Sequence, residues 1–173
     1  MALRTPSQTI GPFFHESLRW REGGKVAFAE TGDKVVVTGR IFDGAGNLVN
    51  DAMLETWQRS PQGGTPAPAT GSLNPHGFGR VETAKDGTYR IETSMPGATV
   101  PSIDIAVFAR GLLKPLRTRA YLAPEARVRD DPDLAPLASS PRLATLVATP
   151  AGKGVYRFDI RLQGDGETVF FAF

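Results

Sequence analysis

Short stretches in which apolar and polar side chains alternate are the feature that most constrains how this chain can fold. A period of two is typical of β-strands with one buried face, whereas the apolar side chains of an amphipathic helix recur every three to four residues. The alternating or β-branched stretches are residues 34–42, 54–58, 78–83, 88–93, 102–109, 116–122, 154–163 and 167–173. Only 130–137 and 141–147 suit short helices. The pattern predicts an all-β protein of about eight short strands, either a β-sandwich or a partly closed barrel.

Turn-forming residues separate these stretches and indicate how neighbouring strands connect. Residues 43–47 predict a turn, so that the strands on either side would form a hairpin or a meander. Residues 85–87 (Lys-Asp-Gly) predict a tight turn that joins 78–83 to 88–93 as a further hairpin.

The region before the first strand has a different character. Residues 1–33 predict an irregular N-terminal arm, and residues 34–173 predict a single sandwich domain. The arm contains prolines and glycines together with aromatic side chains such as Phe13 and Trp20, which favour burial against the protein's own body or another chain. Residues 59–77 are rich in Pro and Gly and predict one long loop, of a length that is usually functional or disordered.

The composition excludes several classes of protein. The 173 residues contain no Cys and two His, which excludes disulfide scaffolds, thiol nucleophiles and zinc sites built from neighbouring residues. With 20 Lys and Arg against 18 Asp and Glu, the net charge of +2 is too small for a nucleic-acid-binding protein. Charges interrupt every apolar run before the roughly 18 residues of a membrane span, and the first residues have no signal-peptide character, so we expect a cytoplasmic protein.

Two charged residues stand out near the apolar stretch 102–109. Asp104 lies inside it, where a carboxylate is stable only on an open sheet face or beside a cation, and we expect a nearby Arg as its partner. Arg110 follows the stretch directly and can present its guanidinium to a carboxylate from the end of a strand. Arg119 and Glu55 instead fit solvent-exposed positions. Residue types alone therefore indicate no catalytic set.

Five segments, taken together, resemble the intradiol ring-cleaving dioxygenases. They are residues 5–14 (TPSQTIGPFF), 54–58 (LETWQ), 77–80 (GFGR), 108–111 (FARG) and 156–171 (YRFDIRLQGDGETVFF). The segments occur in the family's order and extend over nearly the whole chain. The resemblance implies a β-sandwich, in agreement with the strand pattern, which itself predicts an irregular N-terminal arm and one or two short helices.

In catalytic chains of this family, two Tyr and two His hold a ferric ion. The family's His-Ile-His segment falls here on residues 102–104 (Ser-Ile-Asp), and no tyrosine lies in 58–78 or 95–101, where the other two ligands are expected. The chain's tyrosines fit core or edge positions of strands: Tyr89, Tyr121 and Tyr156. The resemblance therefore implies a non-catalytic alpha-type chain that binds no metal itself, with Fe(III) held by a partner beta chain.

The resemblance also implies an indirect role in catalysis. In two-chain members, the arm of the alpha chain reaches the iron pocket of the beta chain. Four residues match the arm positions that line this pocket: Thr9, Gly11, Pro12 and Phe13. Phe13 stands where the family often has Tyr. Arg110 matches an arginine that can hold the carboxylates of substrate or product.

The reaction implied is cleavage of 3,4-dihydroxybenzoate by O2 to 3-carboxy-cis,cis-muconate in a hetero-oligomer. The alternative is a stand-alone, metal-free β-sandwich that kept the scaffold as a binding or carrier module, because a shared fold does not determine function.

Overall fold

The protein forms two β-sheets in a computed structural model that describes residues 11, 17–18, 20–26, 32–64 and 77–172. The strands within these residues are β1 (Lys34–Phe42), β2 (Met53–Trp57), β3 (Phe78–Glu82), β4 (Thr88–Ser94), β5 (Ser102–Phe108), β6 (Leu116–Tyr121), β7 (Thr149–Gly152), β8 (Val155–Arg157) and β9 (Ile160–Arg161). The first sheet has the order β4–β1–β8–β7, with β9 also paired to β1, and the second has the order β3–β2–β5–β6. The predicted all-β sandwich is confirmed.

The main core contains side chains from both sheets and accounts for the alternation in the sequence. Val35, Val37 and Ile41 of β1 are buried, as are Ile103 and Ile105 of β5 in the other sheet. Each such side chain contributes about 1.5–3 kcal/mol when it is removed from water. Burial of the alternating apolar residues is therefore the main force that holds the two sheets together.

The first predicted strand pair is not formed. β1 pairs antiparallel with β4 and parallel with β8, whereas β2 pairs with β3 and β5 in the second sheet. The turn between β1 and β2 is present, because the Asp43 carboxylate accepts hydrogen bonds from the N–H groups of Ala45 and Asn47. The hairpin prediction for β1 and β2 was wrong, since a local turn reverses the chain without determining which strand lies alongside.

The Asp-Gly turn is also present, but it connects the two sheets. Gly87 has a φ of +70°, and the Asp86 carboxylate accepts a hydrogen bond from the Thr88 N–H. β3 stays on β2 beyond its last residue, because the Thr83 N–H donates to the Ala52 carbonyl and Thr83 Oγ1 accepts from the Ala52 N–H. β4 pairs with β1 instead, so the predicted hairpin between β3 and β4 was wrong.

The C-terminal part of the chain is less regular than its sequence indicates. The predicted strand at 154–163 is divided into β8 and β9, with Phe158 and Asp159 between them. Within residues 167–172, the pairing is limited to an isolated bridge between Phe171 and Arg117.

Short helices cover a second apolar cluster beside β6. They are α1 (Glu125–Val128) and two 3-10 helices, Pro132–Leu137 and Pro141–Leu146. The two 3-10 helices confirm the helical segments predicted at 130–137 and 141–147, whereas α1 was not predicted. The buried cluster contains Tyr121, Ala123, Val128, Leu134, Leu143, Leu146 and Val169. No helix in the described residues has the length and apolar character needed to span a bilayer.

Tyr89 gives the fold a testable dependence on alkaline pH. Its side chain is buried, and its hydroxyl donates a hydrogen bond to the Phe158 carbonyl. Burial raises the pKa of Tyr89 well above its ordinary value of 10.0, and the charge of Asp159 raises it further. Because the phenol ionises first in the unfolded chain, its contribution to stability is complete below about pH 10 and is lost above it, by about 1.4 kcal/mol per pH unit.

We expect urea unfolding between about pH 9 and pH 11 to show this loss. In Tyr89→Phe, the free energy of unfolding should decline less steeply with pH. All other titrating groups are present in both proteins, so subtracting one pH profile from the other leaves the contribution of Tyr89. Equal pH dependence in the two proteins would contradict the assignment.

Candidate functional site

A groove with a volume of about 540 Å³ lies on the outer face of the second sheet. The strand register explains its composition: Trp57 of β2 is opposite Asp104 of β5, and Asp104 is opposite Arg119 of β6. Ile103 and Ile105, the neighbours of Asp104, belong to the core, so the alternation of β5 directs Asp104 outward. The three side chains of this row meet in one groove although they come from distant parts of the sequence.

Arg119 lies at the centre of a polar network at one end of the groove. Its Nε donates to Asp104 Oδ1 at 2.7 Å, and its Nη1 donates to Asp133 Oδ2 and to the Tyr121 hydroxyl at 3.1 Å each. Asp131 Oδ2 is 3.8 Å from Nη1 and accepts a hydrogen bond from the Tyr121 hydroxyl at 2.7 Å. One guanidinium therefore neutralises carboxylates from β5 and from the start of the first 3-10 helix.

The network also affects the Tyr121 phenol. Burial raises the pKa of Tyr121, and the hydrogen bond to Asp131 raises it further, while Arg119 lowers it. The net direction is upward, so the phenol stays protonated and donates to Asp131. The prediction of a nearby arginine partner for Asp104 is confirmed, and the Asp104 side chain also lies on the open outer face of the sheet. The prediction that Arg119 is an ordinary surface residue was wrong, because cross-strand pairing brings it into contact with Asp104.

Aromatic side chains form the opposite end of the row. Trp57 is 42% exposed, its ring centroid is 5.3 Å from that of Phe78, and Phe78 stacks on Trp20 at 5.9 Å. Trp20 belongs to the arm, so the arm contacts the edge of the second sheet next to the groove. This placement buries part of the aromatic surface that the sequence predicted for the arm.

Glu55 and Arg80 lie on the same outer face. Arg80 Nη2 and Nε donate to Glu55 Oε1 at 2.5 and 3.0 Å, and the Arg80 guanidinium lies 5.8 Å from the Phe78 ring centroid. The Glu55 side chain is only 15% exposed. The prediction of a solvent-exposed Glu55 was wrong, since its partner on β3 covers it.

The ferric ion implied by the resemblance requires ligands at positions that other residues occupy here. Ser102 and Asp104 replace the two expected imidazoles, and Asp104 is already paired with Arg119. The phenols of Tyr89 and Tyr121 are engaged in hydrogen bonds within the protein. Within the described part of the chain, no group of three or more His, Cys, Asp or Glu side chains has a geometry that could hold a metal ion. These residues do not fit a ferric ion.

The tyrosine positions agree with the sequence prediction. Tyr89 and Tyr121 are buried in the two apolar clusters, and Tyr156 packs against the main core. The two histidines, His15 and His76, lie outside the described residues.

The predicted binding residues lie in different parts of the molecule. Thr9, Pro12 and Phe13 are outside the described residues. Gly11 is exposed, and a Cβ at this position would have no atom of the described residues within 4 Å. Arg110 lies just beyond the end of β5, forms an ion pair with Asp51 and does not line the groove. The structure therefore contains two separate candidate binding places, Arg110 at the end of the second sheet and the groove on the outer face of that sheet.

Sequence reasoning missed the groove and the Asp51 partner of Arg110. A signal for the groove exists in the alternation of Arg117, Arg119 and Tyr121, which places these side chains on one face of β6. The carboxylates of Asp131 and Asp133 are also separated by one residue. Neither pattern identifies the strand opposite, so the groove depends on the pairing of β5 with β6.

Comparison with known proteins gives close relatives for nearly the whole chain. No protein-family model matches it. The protocatechuate 3,4-dioxygenase alpha chain of Burkholderia cepacia is 39% identical over 190 aligned residues, covering 97% of this chain and 96% of the relative. The alpha chain of the same name from Pseudomonas putida is 36% identical and covers 98% and 96%, respectively.

A beta chain and a solved structure are also similar. The Burkholderia cepacia protocatechuate 3,4-dioxygenase beta chain is 30% identical over 79% of this chain and 67% of its own length. The solved dioxygenase domain of a dioxygenase and carbohydrate-binding fusion from Streptomyces sp. SirexAA-E superposes with a TM-score of 0.61 at 21% identity. That alignment covers 92% of this chain and 99% of the solved domain, and it shows a shared fold.

Proposed function

Because this chain belongs to the intradiol ring-cleaving dioxygenases, as an alpha chain of the protocatechuate 3,4-dioxygenase type, we propose that it completes the active-site pocket of an iron-bearing beta chain. The assembled enzyme cleaves 3,4-dihydroxybenzoate with O2 to 3-carboxy-cis,cis-muconate, and Fe(III) is bound by the beta chain. The observation that carries the proposal is the identity of 36–39% to alpha chains over nearly their full length, compared with 30% to a beta chain over part of its length. We also propose a cytoplasmic location, which fractionation of the host cell tests.

The N-terminal arm supplies one wall of the partner's pocket. We assign residues 1–33 to this arm and residues 34–173 to the sandwich domain. The arm is attached to the sheets through residues 20–26, in which the Gly23 carbonyl accepts from the Arg80 N–H and the Val26 N–H donates to the Glu92 carbonyl. The wall residues are Thr9, Gly11, Pro12 and Phe13. The exposure of Gly11 supports this role, since its surface is open to another chain.

Arg110 supplies the positive charge that recognises the substrate's carboxylate. Its side chain is 65% exposed at the end of the second sheet, where a neighbouring chain can reach it. A guanidinium binds a carboxylate through two parallel hydrogen bonds, which gives both affinity and orientation. The ring to be cleaved is thereby held by a group outside the iron-bearing chain.

The alternative function is a stand-alone binding or carrier module. The groove on the outer face favours this alternative, because it offers an aromatic wall, an apolar floor and arginines within a single chain. The two functions differ in whether a partner chain is needed, and this difference can be measured.

We expect the purified chain to be colourless, free of stoichiometric iron and inactive towards 3,4-dihydroxybenzoate. Co-expression with a beta-type chain should yield a stable complex with the visible absorption of tyrosinate-bound iron and with ring-cleaving activity. Metal analysis, absorption spectra and O2 uptake measure the three properties, and the beta-type chain expressed alone is the control.

Stoichiometric iron in the isolated chain would overturn the assignment of the metal to the partner. A failure to form any complex, together with binding of a small aromatic ligand by the isolated chain, would favour the carrier function.

A further inference from the structure

The ion pair between Arg110 and Asp51 has a defined place in the second sheet. β2 and β5 are antiparallel, and Met53 is opposite Phe108. The same register, continued by two residues beyond the strands, places Asp51 opposite Arg110. The contact therefore follows from strand pairing and joins the two adjacent strand ends.

The two partners differ in how firmly they are held. The Asp51 side chain is 19% exposed, whereas that of Arg110 is 65% exposed. The backbone next to Asp51 is fixed by hydrogen bonds of both the N–H and the carbonyl of Ala52 to Thr83. Asp51 is thus the fixed member of the pair, and Arg110 is the member that solvent or another chain can reach.

Asp51 contacts Arg110 through an ion pair with Nε. Asp51 Oδ2 is closed off from solvent, and the group that faces it is the Nε of Arg110. A buried carboxylate oxygen without a donor is costly unless a charge lies beside it. Asp51 consequently attracts the guanidinium strongly and restricts the rotamers of Arg110.

Contact through Nε leaves the other end of the guanidinium available. In the described residues, no hydrogen bond holds either Nη group of Arg110. A guanidinium has five N–H donors in a planar fork, so its two Nη groups can still bind a second carboxylate. We infer that Asp51 is a positioning residue that orients Arg110, so that its Nη groups receive the carboxylate of the aromatic substrate. This inference rests on the proposed function.

Two effects of Asp51 on substrate binding oppose one another. Its negative charge weakens the attraction between Arg110 and a carboxylate, and this effect is about threefold where water still reaches Arg110 at the rim of the pocket. Asp51 also holds the long Arg110 side chain in one orientation before the substrate binds. This removes the entropic cost of ordering the side chain and strengthens substrate binding about tenfold. Orientation is the larger effect, so loss of Asp51 should weaken binding of the charged substrate.

The experiment uses the assembled alpha–beta enzyme with two substrates, 3,4-dihydroxybenzoate and catechol, which has the same ring without the carboxylate. In Asp51→Ala, we expect KM for 3,4-dihydroxybenzoate to rise about tenfold, with kcat changed less than threefold and KM for catechol unchanged. Asp51→Asn keeps an oxygen that can accept from Nε and should raise KM about threefold. Arg110→Gln should raise KM about 100-fold for the charged substrate only.

The matched control is Asp159→Asn, because Asp159 forms a comparable surface pair with Arg157 at 2.7 Å. This variant should leave both KM values unchanged. Iron content and complex size verify that each variant assembles. If Asp51→Ala does not assemble, the KM values of Asp51→Asn for the two substrates decide the question.

The outcomes separate the inference from the proposed function. An unchanged KM for 3,4-dihydroxybenzoate in the Asp51 variants, or an equal rise for both substrates, would overturn the positioning role while leaving the enzyme assignment intact. If Arg110→Gln affects neither substrate, the proposed carboxylate contact itself is wrong, and the inference is overturned with it.

Discussion

Replacement of Arg119 by methionine should lower the free energy of unfolding by about 2 kcal/mol. The substitution removes the cation that faces Asp104, Asp131 and Asp133, and the Tyr121 hydroxyl loses a hydrogen-bond donor. The remaining carboxylates then repel one another across the end of the groove.

Burial determines which of these contacts matters most. The Asp104 and Asp133 side chains are 55% and 70% exposed, so solvent screens their pairing with Arg119, and each contributes at most about 1 kcal/mol. Asp131 and Tyr121 are largely buried and cannot replace the lost partner with water as easily. We therefore expect most of the loss to come from these two residues.

Thermal unfolding of the purified chain, followed by circular dichroism, measures the effect. A loss of about 2 kcal/mol lowers Tm by about 4–8 °C in a protein of this size. The control is Arg142→Met, which breaks an exposed pair with Glu167 at 3.2 Å and should cost less than about 1 kcal/mol. Equal Tm values for the two variants would show that the Arg119 network does not stabilise the fold.

Replacement of Gly39 by alanine should destabilise the protein more, by about 4 kcal/mol. Gly39 lies in the middle of the first sheet, opposite Tyr89 of β4, and Phe158 lies on its other side. The Tyr89 side chain reaches across Gly39 and donates its hydroxyl to the Phe158 carbonyl. A Cβ on residue 39 would be 1.9 Å from the Phe158 oxygen and 3.0 Å from the Tyr89 hydroxyl.

The two groups next to Gly39, the Phe158 carbonyl and the Tyr89 hydroxyl, cannot move without breaking hydrogen bonds. The Phe158 N–H donates to the Thr38 carbonyl at 2.8 Å, and the Arg40 N–H donates to Asp159 Oδ1 at 3.0 Å. Displacement of the Phe158 carbonyl would break these contacts and leave the buried Tyr89 hydroxyl without an acceptor. The clash therefore involves backbone that is held on both sides, which makes relaxation expensive.

We expect Gly39→Ala to be recovered largely in the insoluble fraction, or to unfold at least about 8 °C below the parent. Gly64→Ala is the matched control, because among the described residues its new Cβ would meet only the Ser60 hydroxyl oxygen, at 3.8 Å. A soluble Gly39→Ala protein with a Tm within about 2 °C of the parent would contradict the close approach at this position.

Much of the local structure could be predicted because it depends on neighbouring residues. The alternation around Val35 and Val37 predicts β1, and the Asp43 and Asp86 side chains form turns where the sequence places them. The pairing of strands could not be predicted in this way. The turn at Asp86 is compatible with a hairpin, but the hydrogen bonds of Thr83 keep β3 on β2.

In the candidate site, too, local properties could be predicted from the sequence, whereas the pairing of distant residues could not. The sequence predicted that Asp104 lies on an open sheet face or beside a cation, because an unpaired buried carboxylate is unstable. It did not identify Arg119 as that cation, since the contact depends on the register of β5 and β6. Asp51 and Arg110 are far apart in the sequence as well, and the register of β2 and β5 brings them together.

The sequence by itself determined the strand segments, their buried faces, the turns and the absence of histidine and tyrosine from the positions where the family holds its iron. The tertiary structure alone decided the sheet partners, the groove, the neighbours of Gly39 and the ion pairs of Arg119 and Arg110. The physical reason is the separation along the sequence of the residues that determine each feature. A period of two and a turn are properties of adjacent residues, whereas sheet order and charge pairing depend on which distant strands bury their apolar faces together.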